Sequence, residues 1–193
     1  MSTIVAVKKN GLAVIGADTQ FNRGSLIVQP RYQKNHKKII KFKDSYLGII
    51  GSSAHHNVMA SILSKYRKDI CFNSVKDIFE TFLWLHPKLK DEYFVNTSEE
   101  KDQEYESNQL HILLVNPSGI FDVMSYREVT EFSRFWSIGS GDEYALGAMY
   151  AIYDKVDDVR QIAKTGISAA CEFNEKCGLP MICHTVKLKN ARR

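Results

Sequence analysis

The sequence predicts an α+β fold in which two antiparallel sheets stack face to face and pairs of helices cover the outside. Three observations predict it. The first is that apolar stretches of strand length and helical stretches both come in pairs, and the second that the blocks run ββ, ββ, αα, ββ, αα, β instead of alternating as βαβ units. The third is composition. The 193 residues are 44% hydrophobic and 25% charged, with 11 Gly and 4 Pro. Such proportions belong to an ordinary globular chain, not a disordered or fibrous one. A chain of this length can bury a real core, so residues 1–193 are expected to form a single domain.

The opening is the clearest local signal. Thr3–Val7 and Leu12–Ala17 are apolar runs joined through Asn10-Gly11. Asn-Gly tolerates the positive φ of a type I′ turn, so a hairpin is expected. Ile39–Phe42 and Tyr46–Ile50 form a second strand pair, and Gly51-Ser52-Ser53 breaks the pattern. His55–Tyr66 carries Val58, Met59, Ile62 and Leu63 at helical spacing. Ser74 is a natural N-cap for Val75–Leu85, whose stripe is Ile78, Phe79, Phe82 and Leu85, and Pro87 is expected to end that helix. Residues 88–108 are polar and acid-rich (Glu99, Glu100, Asp102, Glu104, Glu106) and read as an exposed insertion.

Strands are expected again at His111–Asn116 and Ile120–Met124, around Pro117-Ser118-Gly119, with a short third one within Arg127–Phe132. Trp136–Gly141 leads into a helix over Asp142–Tyr153. An aspartate, Asp157 or Asp158, caps another over Val159–Glu175. A last strand spans Met181–Leu188.

Charge and cysteine usage exclude several function classes. The net charge is +4, drawn mainly from Lys34, Lys37, Lys38, Lys41, Lys43 and the 187–193 tail. These read as solvated basic faces; a nucleic-acid site would want aromatics or a recognised fold around the charge, and a nucleic-acid partner is not expected. Cys71, Cys171, Cys177 and Cys183 lack zinc-site spacing, so neither a metal nor another cofactor is expected. No apolar run approaches the roughly 18 residues of a membrane span, and the start lacks the features of an export signal. A cytoplasmic chain with reduced thiols is the expectation.

Four features could carry chemistry. Removal of Met1 would leave Ser2 with a hydroxyl and an α-amine. That amine, with an ordinary pKa of about 7.7–8.0, can serve as the base for its own hydroxyl. Asp18 closes the second strand, where a turn aspartate is the plainer reading. Lys34 is one of several lysines; buried beside a hydroxyl, it would stabilise an alkoxide. The glycine breaks at Gly51-Ser52-Ser53 and Ile138-Gly139-Ser140-Gly141 can free backbone N–H groups for an oxyanion.

In order and spacing, Ser2–Ala17 with Asp18, then Lys34, Gly51-Ser52-Ser53-Ala54 and Ile138-Gly139-Ser140-Gly141 resemble the proteasome β-subunit family, above all its HslV-like and small bacterial members. The resemblance covers nearly the whole chain. It implies the four-layer αββα sandwich of N-terminal nucleophile hydrolases and a threonine/serine-type endopeptidase. Ser2 would replace the N-terminal threonine, Asp18 would hold Lys34, Gly51 would supply the oxyanion N–H, and Ser140 would relay protons beside the amine. Phe21, Tyr32, Ile49 and Ser53 would line a largely apolar substrate pocket. Asn174 and Cys177 stand where the family usually has an aspartate and a serine. The resemblance further implies stacked homo-oligomeric rings of six- or seven-fold symmetry acting on unfolded chains. Because the chain has no P-loop, an unfoldase partner would have to supply any ATP hydrolysis. Two rival readings share the fold: an inactive structural or binding ring subunit, and a small-molecule amidase.

Overall fold

The structure, a computed structural model, describes residues 2–34, 37–98 and 101–189. Met1, Asn35, His36, Glu99, Glu100 and residues 190–193 lie outside the described residues, so the removal of Met1 and the end of the basic tail do too.

In chain order the elements are β1 (Thr3–Lys9), β2 (Leu12–Asp18), β3 (Phe21–Arg23), β4 (Leu26–Val28), a 3₁₀ turn (Pro30–Tyr32), β5 (Ile39–Phe42), β6 (Ser45–Ile50), α1 (Ser53–Lys65), α2 (Val75–Tyr93), β7 (His111–Asn116), β8 (Gly119–Val123), β9 (Val129–Phe132), β10 (Phe135–Gly139), α3 (Asp142–Tyr153), α4 (Val159–Phe173) and β11 (Met181–Lys187). One antiparallel sheet runs β10-β1-β2-β11 and the other β5-β6-β7-β8-β9, with β3-β4 a small separate hairpin. The first hairpin turns at Asn10 and Gly11, both at positive φ (51° and 77°), as the Asn-Gly pair predicts.

The period of two along each strand builds the four layers. On β1, Ile4 and Ala6 face the other sheet, while Val5 and Val7 face α3 and α4. On β7, Leu113 and Val115 face the first sheet, while Ile112 and Leu114 pack with α1 and α2. Each sheet is therefore apolar on both faces and needs a second layer on each. The helix stripes supply it: Met59, Ile62 and Leu63 on α1; Ile78, Phe82, Leu85 and Leu89 on α2; Ile162, Ala163, Ile167 and Ala170 on α4. The result is the αββα sandwich.

Three expectations are corrected. Pro87 does not end α2, which continues to Tyr93. Proline removes the bond to the carbonyl of Leu83, and Leu83 lies on the exposed face where water can replace it. The segment 88–108 is not an exposed insertion throughout, although most of the described residues between 94 and 106 are exposed. Residues 88–93 are helix, Ser107 and Asn108 have no exposed surface, and Glu106 pairs with Lys90 and His86 on α2. The acidic residue here returns the chain to the helix by pairing with its bases. Finally, Trp136–Gly139, expected only as the approach to a helix, is itself part of strand β10 and pairs with β1, and α3 begins at Asp142 as expected.

That pairing brings the front of the chain to a glycine. Thr3 stands opposite Gly139, whose φ is +110°. A Cβ on Gly139 would lie 2.1 Å from the Ser2 carbonyl oxygen. Gly139→Ala is therefore expected to cost at least about 1–3 kcal/mol in backbone strain and to displace Ser2. Thermal unfolding together with peptide turnover measures both effects; a variant with unchanged stability would show that the contact is not rigid.

Candidate active site

The site forms where β1 begins and β2 ends. Hairpin pairing places Ser2 and Thr3 beside Asp18, because Ile4 is opposite Ala17. Asp18 is fully buried, Ser2 is nearly so, and the acid's two oxygens have separate duties. Oδ1 accepts the Thr3 backbone N–H at 3.0 Å and the Lys38 ammonium at 2.6 Å. Oδ2 accepts the backbone N–H groups of Gln20 (3.2 Å) and Gly178 (3.0 Å). Three backbone amides and one cation hold the carboxylate in place, as a buried charge requires.

The lysine is not the one expected. Lys34 is exposed, in the connection before β5. Lys38 is 3% exposed and makes the ion pair with Asp18. The reason is local. Lys38 immediately precedes the buried Ile39 of β5, and its carbonyl accepts the Ile49 N–H at 3.0 Å, so its backbone is already at the edge of the core. Burial lowers the pKa of Lys38, and the facing Asp18 carboxylate opposes that fall. The sequence signal was present: position 38 is the lysine directly before the apolar pair Ile39-Ile40 that opens a strand.

Ser140 follows Gly139, and its Oγ donates to the Ser2 carbonyl at 3.4 Å. Asn174, the residue that closes α4, donates from Nδ2 to the Ser140 carbonyl at 2.5 Å and accepts the Lys176 N–H on Oδ1 at 3.0 Å. Cys177 Sγ lies 2.9 Å from Thr3 Oγ1 and 3.8 Å from Ser140 Oγ. Burial pushes the Cys177 thiol up and Cys171 up to about 12. Both therefore stay protonated, which removes them as rival nucleophiles, since the thiolate is the reactive form. All four cysteines are free.

Gly51 ends β6 at φ +100°, a conformation glycine adopts without strain. It adjoins the front of the chain through Ile50: Ile50 Cγ2 would be 3.6 Å from a Cβ on Gly139, the same Cβ that would strike Ser2. Ser2, Asp18, Lys38, Gly51 and Ser140 thus converge, with Asn174 and Cys177 behind them. The expected substrate-pocket residues differ in burial. Ile49 has no exposed surface and belongs to the core with α1 and α2, so it does not line an open pocket in the protomer. Tyr32 is 72% exposed on the 3₁₀ turn, Ser53 opens α1, and Phe21 is half-buried on β3. Gln20 and Gly178, which hold Asp18 through their backbone amides, were not anticipated. Backbone donors leave no mark in residue type.

Among the described residues no group of three His, Cys, Asp or Glu side chains could hold a metal, and no helix is long and apolar enough to cross a membrane.

Residues 1–178 match the proteasome subunit family. The chain belongs to that family, among its HslV-like β-type peptidases. The ATP-dependent protease subunit HslV of Sulfurihydrogenibium sp. (strain YO3AOP1) is 28% identical over 177 residues, 89% of each chain. The structure of Thiobacillus denitrificans BPH in complex with epoxomicin is 36% identical with a TM-score of 0.88, over 97% of this chain and 100% of that one. The eukaryotic HslV from Trypanosoma brucei, at 15% identity and a TM-score of 0.69 over 96% of this chain and 99% of that one, shares the fold.

Proposed function

We propose that the chain is an endopeptidase whose nucleophile is Ser2, exposed by removal of Met1. The observation that carries this reading is the buried Asp18 Oδ1, which joins the Thr3 N–H to the Lys38 ammonium at the front of the chain. An ion pair in this position is expensive to bury and adds little stability over a packed apolar pair. A shell subunit has no need of it, whereas a hydroxyl that must lose its proton does.

The chemistry follows from these groups. The Ser2 amine takes the hydroxyl proton while Oγ attacks the peptide carbonyl. Lys38 lowers the energy of the developing alkoxide, and the Gly51 N–H stabilises the tetrahedral oxyanion. The amine passes its proton to the leaving nitrogen, the C–N bond breaks, and an ester remains on Ser2. Water then attacks that ester, with the amine again as base, and frees the acid. No cofactor enters these steps. Asn174 and Cys177 position Ser140 and Thr3 behind the nucleophile.

The family membership supports assembly in stacked six- or seven-membered rings with the sites facing an inner chamber. The name of the bacterial relative, an ATP-dependent protease subunit, supports an ATP-driven unfoldase as partner. Fluorogenic peptides with apolar residues before the cut test the function. Turnover (kcat/KM) is expected to rise with pH as the amine loses its proton, with a midpoint near about 7.7–8.0. A profile flat from pH 6 to 9 would exclude the amine as base. A ring-sized native mass with no turnover would favour the structural subunit, and a small assembly cleaving only small amides would favour the amidase.

A further inference from the structure

Ser140 is held beside the front of the chain by a run of hydrogen bonds, and that run does not begin at Asn174. Asn174 closes α4, and one orientation of its amide satisfies both partners. Nδ2 donates to the Ser140 carbonyl at 2.5 Å, and Oδ1 accepts the Lys176 N–H at 3.0 Å. The Lys176 N–H belongs to the same peptide as the Glu175 carbonyl. That carbonyl accepts Gln20 Nε2 at 2.8 Å. A trans peptide sets its C=O and N–H on opposite sides, so Gln20 and Asn174 grip one peptide plane from its two edges.

Gln20 is itself fixed. Nε2 also donates to Asn22 Oδ1 at 3.1 Å, and the backbone N–H donates to Asp18 Oδ2 at 3.2 Å. Its side chain lies so close to Gly178 that a Cβ there would strike Oε1. At 9% exposure its amide has little water to fall back on. The other bonds between these two segments hold different points. The Thr19 N–H donates to the Gly178 carbonyl at 3.2 Å, the Gly178 N–H to Asp18 Oδ2 at 3.0 Å, and Thr19 Oγ1 to the Pro180 carbonyl at 2.6 Å. They secure residues 178–180 and leave the Glu175–Lys176 peptide to Gln20. We propose that Gln20 is a positioning residue which, through that peptide and Asn174, holds Ser140 against Ser2. The proposal rests on the reading of Ser2 as nucleophile. The end of β2 then serves the site twice, with Asp18 on the lysine side and Gln20 on the Ser140 side.

The test reads kcat and KM on a fluorogenic peptide, with the melting temperature, for the wild type, Gln20→Met, Gln20→Glu, Thr19→Val and Asn174→Ala. Methionine keeps the length of glutamine and ionised glutamate keeps its shape, and neither donates to the Glu175 carbonyl. A misplacement of about 1 Å can cost about 10²-fold in rate, and a relay loosened but not removed should cost about tenfold. Both Gln20 variants are expected to lower kcat about tenfold with KM within about twofold. Thr19→Val cuts another bond between the same segments and is expected to leave kcat within about twofold, which separates aim from mere stitching. Asn174→Ala is expected to be about as slow as the Gln20 variants. In that background, where the relay is already cut, Gln20→Met should change kcat by less than about twofold more. Wild-type kcat in the folded Gln20 variants overturns the proposal. So does a Thr19→Val variant as slow as they are, or a full further tenfold loss on top of Asn174→Ala. Should the methionine variant not fold, the glutamate variant takes its place throughout; failure of both to fold assigns Gln20 to the fold alone and overturns the proposal. A wild type that cleaves no peptide, or cleaves as well after Ser2→Ala, overturns it together with the reading of Ser2. An active wild type that needs Ser2 and is indifferent to Gln20 overturns the proposal alone.

Discussion

Lys38→Met abolishes peptide turnover, by at least about a hundredfold, while Lys34→Ala leaves it within about twofold. The contrast follows from burial. Lys38 is 3% exposed and bonded to Asp18 at 2.6 Å, whereas Lys34 is exposed. Methionine keeps the apolar stem of lysine and removes the charge. It also leaves Asp18 buried without its cation, so stability falls as well, by about 3–5 kcal/mol. The double variant Asp18→Asn/Lys38→Met separates the two losses. With no charge left to strand, stability returns in large part and turnover does not. If the double variant regains turnover along with stability, the pair is architectural and the catalytic role of Lys38 is wrong. If Lys34→Ala is as damaging as Lys38→Met, the described geometry is not that of the working enzyme.

Ser2→Ala removes the nucleophile and is expected to lower turnover by at least about 10⁴-fold. Thermal unfolding should hardly change, because Ser2 lends the site its carbonyl, held by Ser140 Oγ, and alanine retains that carbonyl. Ser2→Thr supplies the informative counterpart. The hydroxyl stays, and the added methyl restricts χ1, so the nucleophile is better positioned. Turnover equal to or above wild type is expected. A threonine variant without activity would mean that the space around residue 2 is shaped for something other than a reacting hydroxyl.

Much of the fold was legible because it rests on local signals. The Asn10-Gly11 turn, the period-two runs on either side and the caps at Ser74 and Asp158 all act within a few residues. What was misread depended on surroundings. Pro87 marks a helix end by its chemistry, yet the residue whose carbonyl it leaves without an N–H, Leu83, lies on the exposed face, and the helix passes. The strand β10 ends at Gly139, with Gly141 two residues on at the entry to α3, and only its pairing with β1 makes it a strand. The three-residue strands β3 and β4 lie outside both main sheets and carried no usable period.

The site divides in the same way. Ser2 and Asp18 are set by the first hairpin and could be read from it. The choice among lysines could not be made by counting from Asp18, because the β3-β4 hairpin and the 3₁₀ turn occupy the interval and push the buried position to residue 38. It depends on which lysine meets the core, and Ile39 marks that point. The amides of Gln20 and Gly178 are fixed by folding alone.

The most direct measurement is intact and peptide mass analysis after reaction with an epoxyketone. Such a reagent offers two electrophilic carbons, and closing a ring on both requires a hydroxyl and a free amine on the same residue. The expected product is one adduct per subunit, on a terminal peptide that begins at Ser2 with Met1 gone, and none on the Ser2→Ala variant. An active protein that retains Met1, or one whose adduct sits on any other residue, would contradict the account.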